Sequence, residues 1–160
     1  MYFSQGIDII EKKRIKRLIS MYGKIFLNKI LSDNELLNFN QITREKRNEK
    51  LSGIFAAKEA VSKALGFGFR NGVTYKNIEI INNEFNKPEI NLVGESKKLF
   101  CRLKKKKSSV LSVSISHEKN YALSIASILI YWYKYLINKL FIIKFKLSNK
   151  NRKLTSKKNI

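Results

Sequence analysis

The stretch Arg44–Leu65, REKRNEKLSGIFAAKEAVSKAL, closed by Gly66-Phe67-Gly68, decides the fold. Thr43 stands ahead of it in the position of a cap, and Gly66 supplies the left-handed stop. Between them Leu51, Phe55, Ala57, Val61 and Leu65 recur at helical spacing, which suits a long helix packed on a sheet. Working towards the N-terminus, Ser32 and Glu35 form a capping box that starts a short helix through Phe39. Before that, EKKRIKRLISMYG reads as a basic helix with Ile15, Leu18, Ile19 and Tyr22 on one face. Arg14, Lys16 and Arg17 are left to solvent or a partner. The opening FSQGIDII reads as a buried strand. Working towards the C-terminus, NIEII and EINLV are two strands joined by a turn at Asn86-Lys87-Pro88, followed by a helix near Gly94–Leu103. Leu111, Val113 and Ile115 then alternate with serines in a half-buried strand, and YALSIASILI returns beside it after a turn at His117–Asn120. The order β-α-α-α-β-β-α-β-β predicts an α+β domain, a mainly antiparallel sheet against a long helix.

Length and composition agree with one such domain. The chain has 160 residues, 44% of them hydrophobic, enough for a real core and too many for a disordered chain. Charge is unusual: 33 Lys and Arg against 12 Asp and Glu give a net +21. That balance fits an anionic partner, such as nucleic acid, a phosphorylated ligand, an acidic protein or anionic lipid. Compositional drift towards lysine accounts for the charge equally well, so the charge alone selects no function. The single cysteine, Cys101, allows no intrachain disulfide, and one Cys with one His leaves almost nothing for zinc. The N-terminus runs apolar then basic, the reverse of a secretory signal, which predicts a cytoplasmic protein.

Four features carry chemistry. Asp8 lies inside an apolar strand, where a carboxylate needs a cation or a set of donors. Glu59 sits mid-helix with Lys63 four residues on, so the two share a face; an ordinary i,i+4 ion pair is the plain reading. Two hard carboxylates from separate elements are also what Mg²⁺ takes when phosphate oxygens and water complete its shell. Gly66 and Gly68 permit left-handed turns and a close approach of ligand to backbone, although helix termination alone explains them. His117 begins a turn at a strand end, either facing solvent or reaching a phosphate or a base. The alternatives for such a chain are a basic nucleic-acid-binding protein or a Mg²⁺-dependent nuclease using Asp8 and Glu59. No aromatic-interleaved basic motif or helix-turn-helix signature supports nucleic acid as the partner.

Three segments in order, Gly6-Ile7-Asp8-Ile9-Ile10-Glu11, Phe55-Ala56-Ala57-Lys58-Glu59-Ala60 running on to Gly68, and Ser114-Ile115-Ser116-His117, closely resemble the 4′-phosphopantetheinyl transferases of the small, single-motif type. The resemblance runs from about Met1 to Ile128 and includes LSDNEL at Leu31–Leu36. It implies that fold, and a fatty-acid-biosynthetic transfer of 4′-phosphopantetheine from coenzyme A to a serine of apo acyl carrier protein, releasing adenosine 3′,5′-bisphosphate. It implies Mg²⁺ held by Asp8 and Glu59, with Glu59 also the candidate base and Lys63 neutralising or protonating the departing phosphate. Lys46, Arg47, Lys58, Lys63, Gly66, Gly68 and His117 become candidate contacts to coenzyme A. Arg14 and Arg17 become contacts to the acidic carrier protein, and the single motif copy implies a homotrimer with sites between subunits. One position departs. The family commonly has Arg or Lys directly before the phenylalanine of FAAKEA, and here Ile54 stands there, so Lys46, Arg47, Lys58 or another subunit is expected to compensate.

Residues 129–160 lie outside the resemblance and carry nine Lys or Arg and no acid. ILIYWYKYLINKLFIIKFKL is very apolar, yet Lys134, Lys139 and Lys144 interrupt it, which weakens a spanning reading that wants ~20 mostly apolar residues. The expectation is a basic extension that packs on a subunit or lies weakly on anionic membrane, with a disordered end.

Overall fold

From Leu51 to Leu65, every residue of helix α3 (Arg44–Leu65) is buried except Glu59 and Lys63. A helix covered on nearly all sides must be packed by several elements, and the computed structural model, which describes residues 1–105 and 107–132, shows which. The order is β1 (Tyr2–Glu11), α1 (Lys12–Ile30), α2 (Asp33–Asn40), α3, a single 3-10 turn (Tyr75–Asn77), β2 (Ile78–Asn82), β3 (Pro88–Leu92), α4 (Gly94–Lys104), β4 (Ser108–His117) and β5 (Tyr121–Tyr131). The α+β class, the element order and the antiparallel pairing agree with the sequence reading.

The strands form two antiparallel sheets rather than one. Three strands run in the order β1-β5-β4, and β2 pairs with β3 as a separate ribbon. On one side of α3, Ala57, Ala60, Val61 and Leu65 meet Val113, Ala126, Ile128 and Ile130 of the larger sheet, with Ile78, Leu92 and Phe100 behind. Nearer its start, Leu51, Ile54 and Phe55 join Ile15, Phe26, Ile30 and Phe39 from α1 and α2. Burying each large aliphatic chain is worth ~1.5–3 kcal/mol, so α3 is the keel of the fold.

Three local readings need correction. The first strand is buried on one face only: Gly6 and Ile10 are covered, while Phe3, Ile7 and Ile9 are 57–60% exposed. The basic helix does not end at Gly23, whose left-handed φ of 49° breaks it before it runs on to Ile30. Strand β5 continues to Tyr131, with Ile130 opposite Tyr2 and 1% exposed, so the body extends beyond residue 128. Thr43 does occupy the N-cap of α3, without a side-chain bond, and the Ser32–Glu35 capping box is complete. The readings for residues 133–160 fall outside the described residues. Among the described residues, no helix is long and apolar enough to cross a membrane.

Candidate active site

Gly6 sets the site by having no side chain. A Cβ there would stand 2.1 Å from the carbonyl oxygen of Ala60, 2.6 Å from the amide nitrogen of Ala64 and 2.8 Å from Cβ of Lys63. Strand β1 therefore lies directly on α3, and two residues later Asp8 reaches the helix face that carries Glu59 and Lys63. Lys63 Nζ donates to Asp8 Oδ1 at 2.7 Å and to the Ile7 carbonyl at 3.0 Å. The Lys63 partner is thus Asp8 on the neighbouring strand, not Glu59 one turn back. The Asp8 side chain is 16% exposed and that of Lys63 50%.

Glu59 Oε1 accepts a hydrogen bond from the Tyr75 hydroxyl at 2.5 Å. The Tyr75 ring is stacked between Phe69, centroids 3.9 Å apart, and Phe55 at 5.4 Å, which fixes the hydroxyl over the helix. Burial, then the bond to Glu59 and the nearby Asp8 charge, hold the phenol well above its ordinary range, so it stays a neutral donor. The Arg14 guanidinium opposes that shift and lies near enough to be felt at the site. Sequence reasoning missed Tyr75, because its tie to Glu59 depends on how the loop after α3 folds back. One oxygen of Asp8 and one of Glu59 keep no partner among the described residues. Two such hard oxygens fit a Mg²⁺ ion that takes its other ligands from water and phosphate.

Gly66 and Gly68 follow with φ of 77° and 59°, conformations that a side chain would strain, and turn the chain away at the end of the helix beside Lys63. A groove of ≈490 Å³ opens next to Tyr75 between α1 and α3, lined by Arg14, Leu18, Tyr22, Ile25, Phe26 and Phe55 among others. Arg14 is on its rim; Arg17 is exposed on the same helix without lining the groove.

The remaining candidates lie elsewhere. His117 stands over the earlier half of α3, where Gly53 makes room: a Cβ there would be 2.5 Å from the imidazole Cε1. Gly53 and Glu59 are six residues apart, ~9 Å of rise, and on different sides of the helix. Burial, reinforced by the Lys12 and Lys50 charges against the pull of Glu49, holds the imidazole below its usual value. Lys46 is exposed on the first turn of α3. Arg47 spends its guanidinium on the α2–α3 connection, donating to the carbonyls of Ile42 at 2.9 Å and Asn40 at 3.0 Å.

Lys58 is a correction. It is fully buried, and its ammonium donates to the Ile30 carbonyl at 2.7 Å, the Tyr75 carbonyl at 2.9 Å and Glu35 Oε2 at 2.5 Å. An ammonium has three donors, and all are taken, so none is left for a ligand. Burial pulls its pKa below the ordinary lysine value against the attraction of Glu35.

The model of the 4′-phosphopantetheinyl transferase superfamily matches residues 4–126. A holo-[acyl-carrier-protein] synthase of Fusobacterium nucleatum is 42% identical over 129 residues, covering 81% of this chain and 100% of that protein. Among solved structures, the holo-[acyl-carrier-protein] synthase of Neisseria meningitidis superposes with a TM-score of 0.69 at 34% identity, covering 79% of this chain and 97% of that one. The synthase of Bacillus anthracis, solved in complex with coenzyme A (3′,5′-ADP), gives 0.63 at 31% identity over 78% and 94% of the two chains. With Asp8, Glu59 and Lys63 brought together on one strand and one helix, the chain belongs to the 4′-phosphopantetheinyl transferase superfamily, among its holo-[acyl-carrier-protein] synthases.

Proposed function

We propose that this chain moves 4′-phosphopantetheine from coenzyme A to a serine of apo acyl carrier protein in a magnesium-dependent reaction, releasing adenosine 3′,5′-bisphosphate. The observation that carries this reading is the Asp8–Lys63 pair beside Glu59, where the two positions of the Leu51–Leu65 stretch that are not buried meet the first strand. The transfer is attack of a hydroxyl on a phosphorus of a pyrophosphate, and it needs charge neutralisation, positioning and a proton acceptor. Asp8 and Glu59 would hold the magnesium, which would supply charge neutralisation and polarisation of the phosphoryl oxygens when bound. Glu59 takes the proton of the carrier serine, directly or through a water, with Tyr75 fixing its other oxygen. Lys63, held by Asp8 and half exposed, faces the departing phosphate and offsets its charge.

The acidic carrier protein docks on α1, where Arg14 and Arg17 are exposed beside the apolar groove. Copies of the chain pair through the outer face of the larger sheet, where Phe3, Ile7, Ile9, Val110 and Ile125 are 37–60% exposed. A trimer is the assembly that the resemblance implies. It also explains why His117 and Glu59 lie apart on one chain: a coenzyme A bound between copies touches one group from each.

Incubation of the chain with coenzyme A, Mg²⁺ and apo carrier protein, read by intact mass, tests the reading. The wild type adds the phosphopantetheine arm. Asp8→Ala and Glu59→Gln lose more than ~10²-fold in rate, at the lower bound for a general base, while keeping the wild-type circular dichroism spectrum. Near-normal turnover of either variant in limiting Mg²⁺ would sink the metal assignment.

A further inference from the structure

Ile54 leaves a gap in the charge of this site. It is 4% exposed and apolar where the family commonly has a base. Of the expected substitutes, Lys58 has all three donors on internal acceptors, and Arg47 is turned to the carbonyls of Asn40 and Ile42 and lines neither cleft that borders Ile54. Lys46 lines neither of the two clefts that border Ile54.

Lys50 stands one helical turn before Ile54 and lines both. These clefts, ≈280 and ≈170 Å³, share Lys50, Ile54 and Asn82 as their common wall. In the smaller one, Lys50 and Asn82 are joined by Asn86, Pro88, Ile115 and His117. The missing side chain of Gly53 lets the imidazole settle onto the helix on the same side as Lys50, three residues earlier. The Lys50 charge is felt at that ring, which places the ammonium within electrostatic reach of it. The nearby acid, Glu49, is already engaged by Lys12 at 2.7 Å, so it does not neutralise Lys50.

An ammonium, an imidazole and two amide side chains around a small cleft form a donor set for a phosphoryl group. The apolar wall of Ile54, Ile115 and Pro88 suits the sugar or base that carries it. A cleft of ≈170 Å³ holds a phosphoryl group with part of its sugar and no more.

We infer that Lys50 receives the phosphate monoester of coenzyme A, its 3′-phosphate, and takes over the anion contact that Ile54 cannot make. The inference rests on the reading that coenzyme A is the donor substrate. It makes Lys50 a specificity-determining residue: it distinguishes coenzyme A from the same molecule without the monoester, and does not touch the pyrophosphate that reacts.

The test uses the full chain at about 0.15 M salt, with calorimetric titration of coenzyme A and of 3′-dephospho-coenzyme A. Lys50→Met keeps the aliphatic stem and removes the charge; Lys50→Arg keeps the charge. For Lys50→Met, affinity for coenzyme A falls about tenfold, the size of a charge-assisted contact partly screened by water. Its affinity for the dephospho form stays within twofold, and Lys50→Arg retains most of the wild-type preference. Equal weakening towards both ligands, or an unchanged preference in Lys50→Met, overturns the assignment. Arm transfer to apo carrier protein, read by mass in the same preparations, separates the two failures. Transfer with an unchanged preference removes only the role of Lys50, whereas no transfer from either donor removes the reading beneath it.

Discussion

Lys58 shows how far a residue's surroundings override its type. Inside FAAKEA it reads as one more cation near a phosphate, yet its ammonium joins α1, α2 and the loop after α3 through Ile30, Glu35 and Tyr75. Glu35 extends the tie, accepting from the amide of Ile80 at 2.8 Å and from that of Ser32 at 2.8 Å. Removing one partner of a buried pair strands the other, so Lys58→Met is expected to cost ~3–5 kcal/mol in urea unfolding. The molecules that stay folded should bind coenzyme A within about twofold of wild type, which a ligand contact would not allow. Asp8 and Glu59 stood out in the sequence because a carboxylate in an apolar strand and an acid mid-helix are conspicuous by type. Their joint role with Lys63 came from the resemblance, and the plain i,i+4 pairing of Glu59 with Lys63 is not the one formed. The roles of Lys58, Tyr75 and Lys50 were not legible, since periodicity along the chain does not say which surroundings a long side chain meets.

At the scale of elements, helices were read well and their neighbours less so. Caps and stops are local chemistry, which is why the bounds of α3 and the box at Ser32 were visible. The continuation of α1 past Gly23 and the split into two sheets depend on pairing between distant segments, which no local signal carries. The glycine that faces α3 and the glycine within it give opposite predictions. Gly6→Ala drives a methyl group into the backbone of Ala60 and Ala64, so it should prevent folding or lower the melting temperature by well over 10 °C, as expected for overpacking of ~1–3 kcal/mol or more in a small domain. In Gly53→Ala the methyl meets the end of the His117 ring, and a side chain moves more easily than a backbone. Alanine is also the better helix former, by about 1 kcal/mol. That variant should melt within a few degrees of wild type yet bind coenzyme A more weakly, as calorimetry will show.

At the scale of the molecule, charge and apolar surface are sorted by face. Helix α1 presents Arg14, Lys16 and Arg17 to solvent, and the outer face of the larger sheet presents isoleucines and Phe3. Charge on an exposed helix mostly governs how fast an acidic partner is met. Arg14→Glu combined with Arg17→Glu should therefore raise KM for carrier protein by about tenfold or more and leave coenzyme A affinity within twofold. Stopped-flow association of the wild type should slow steeply with added salt, because a Debye length of ~8 Å at 0.15 M screens such steering. Equal losses for both substrates would show that α1 shapes the catalytic cleft and does not serve as a landing surface.

The pairing of the first strand with the last has a consequence for how the enzyme is made. Among the described residues, strand β1 lies at the edge of its sheet and pairs with β5, with Tyr2 opposite Ile130 and Glu11 opposite Tyr121. Asp8 leaves the ribosome well before the strand that completes its ladder, the last strand among the described residues. Joining segments so distant in sequence slows folding and leaves an unsatisfied strand exposed in the meantime. A growing chain thus carries Asp8 without the ladder that sets it against α3, and the arrangement of Asp8, Glu59 and Lys63 is completed only once β5 has been made.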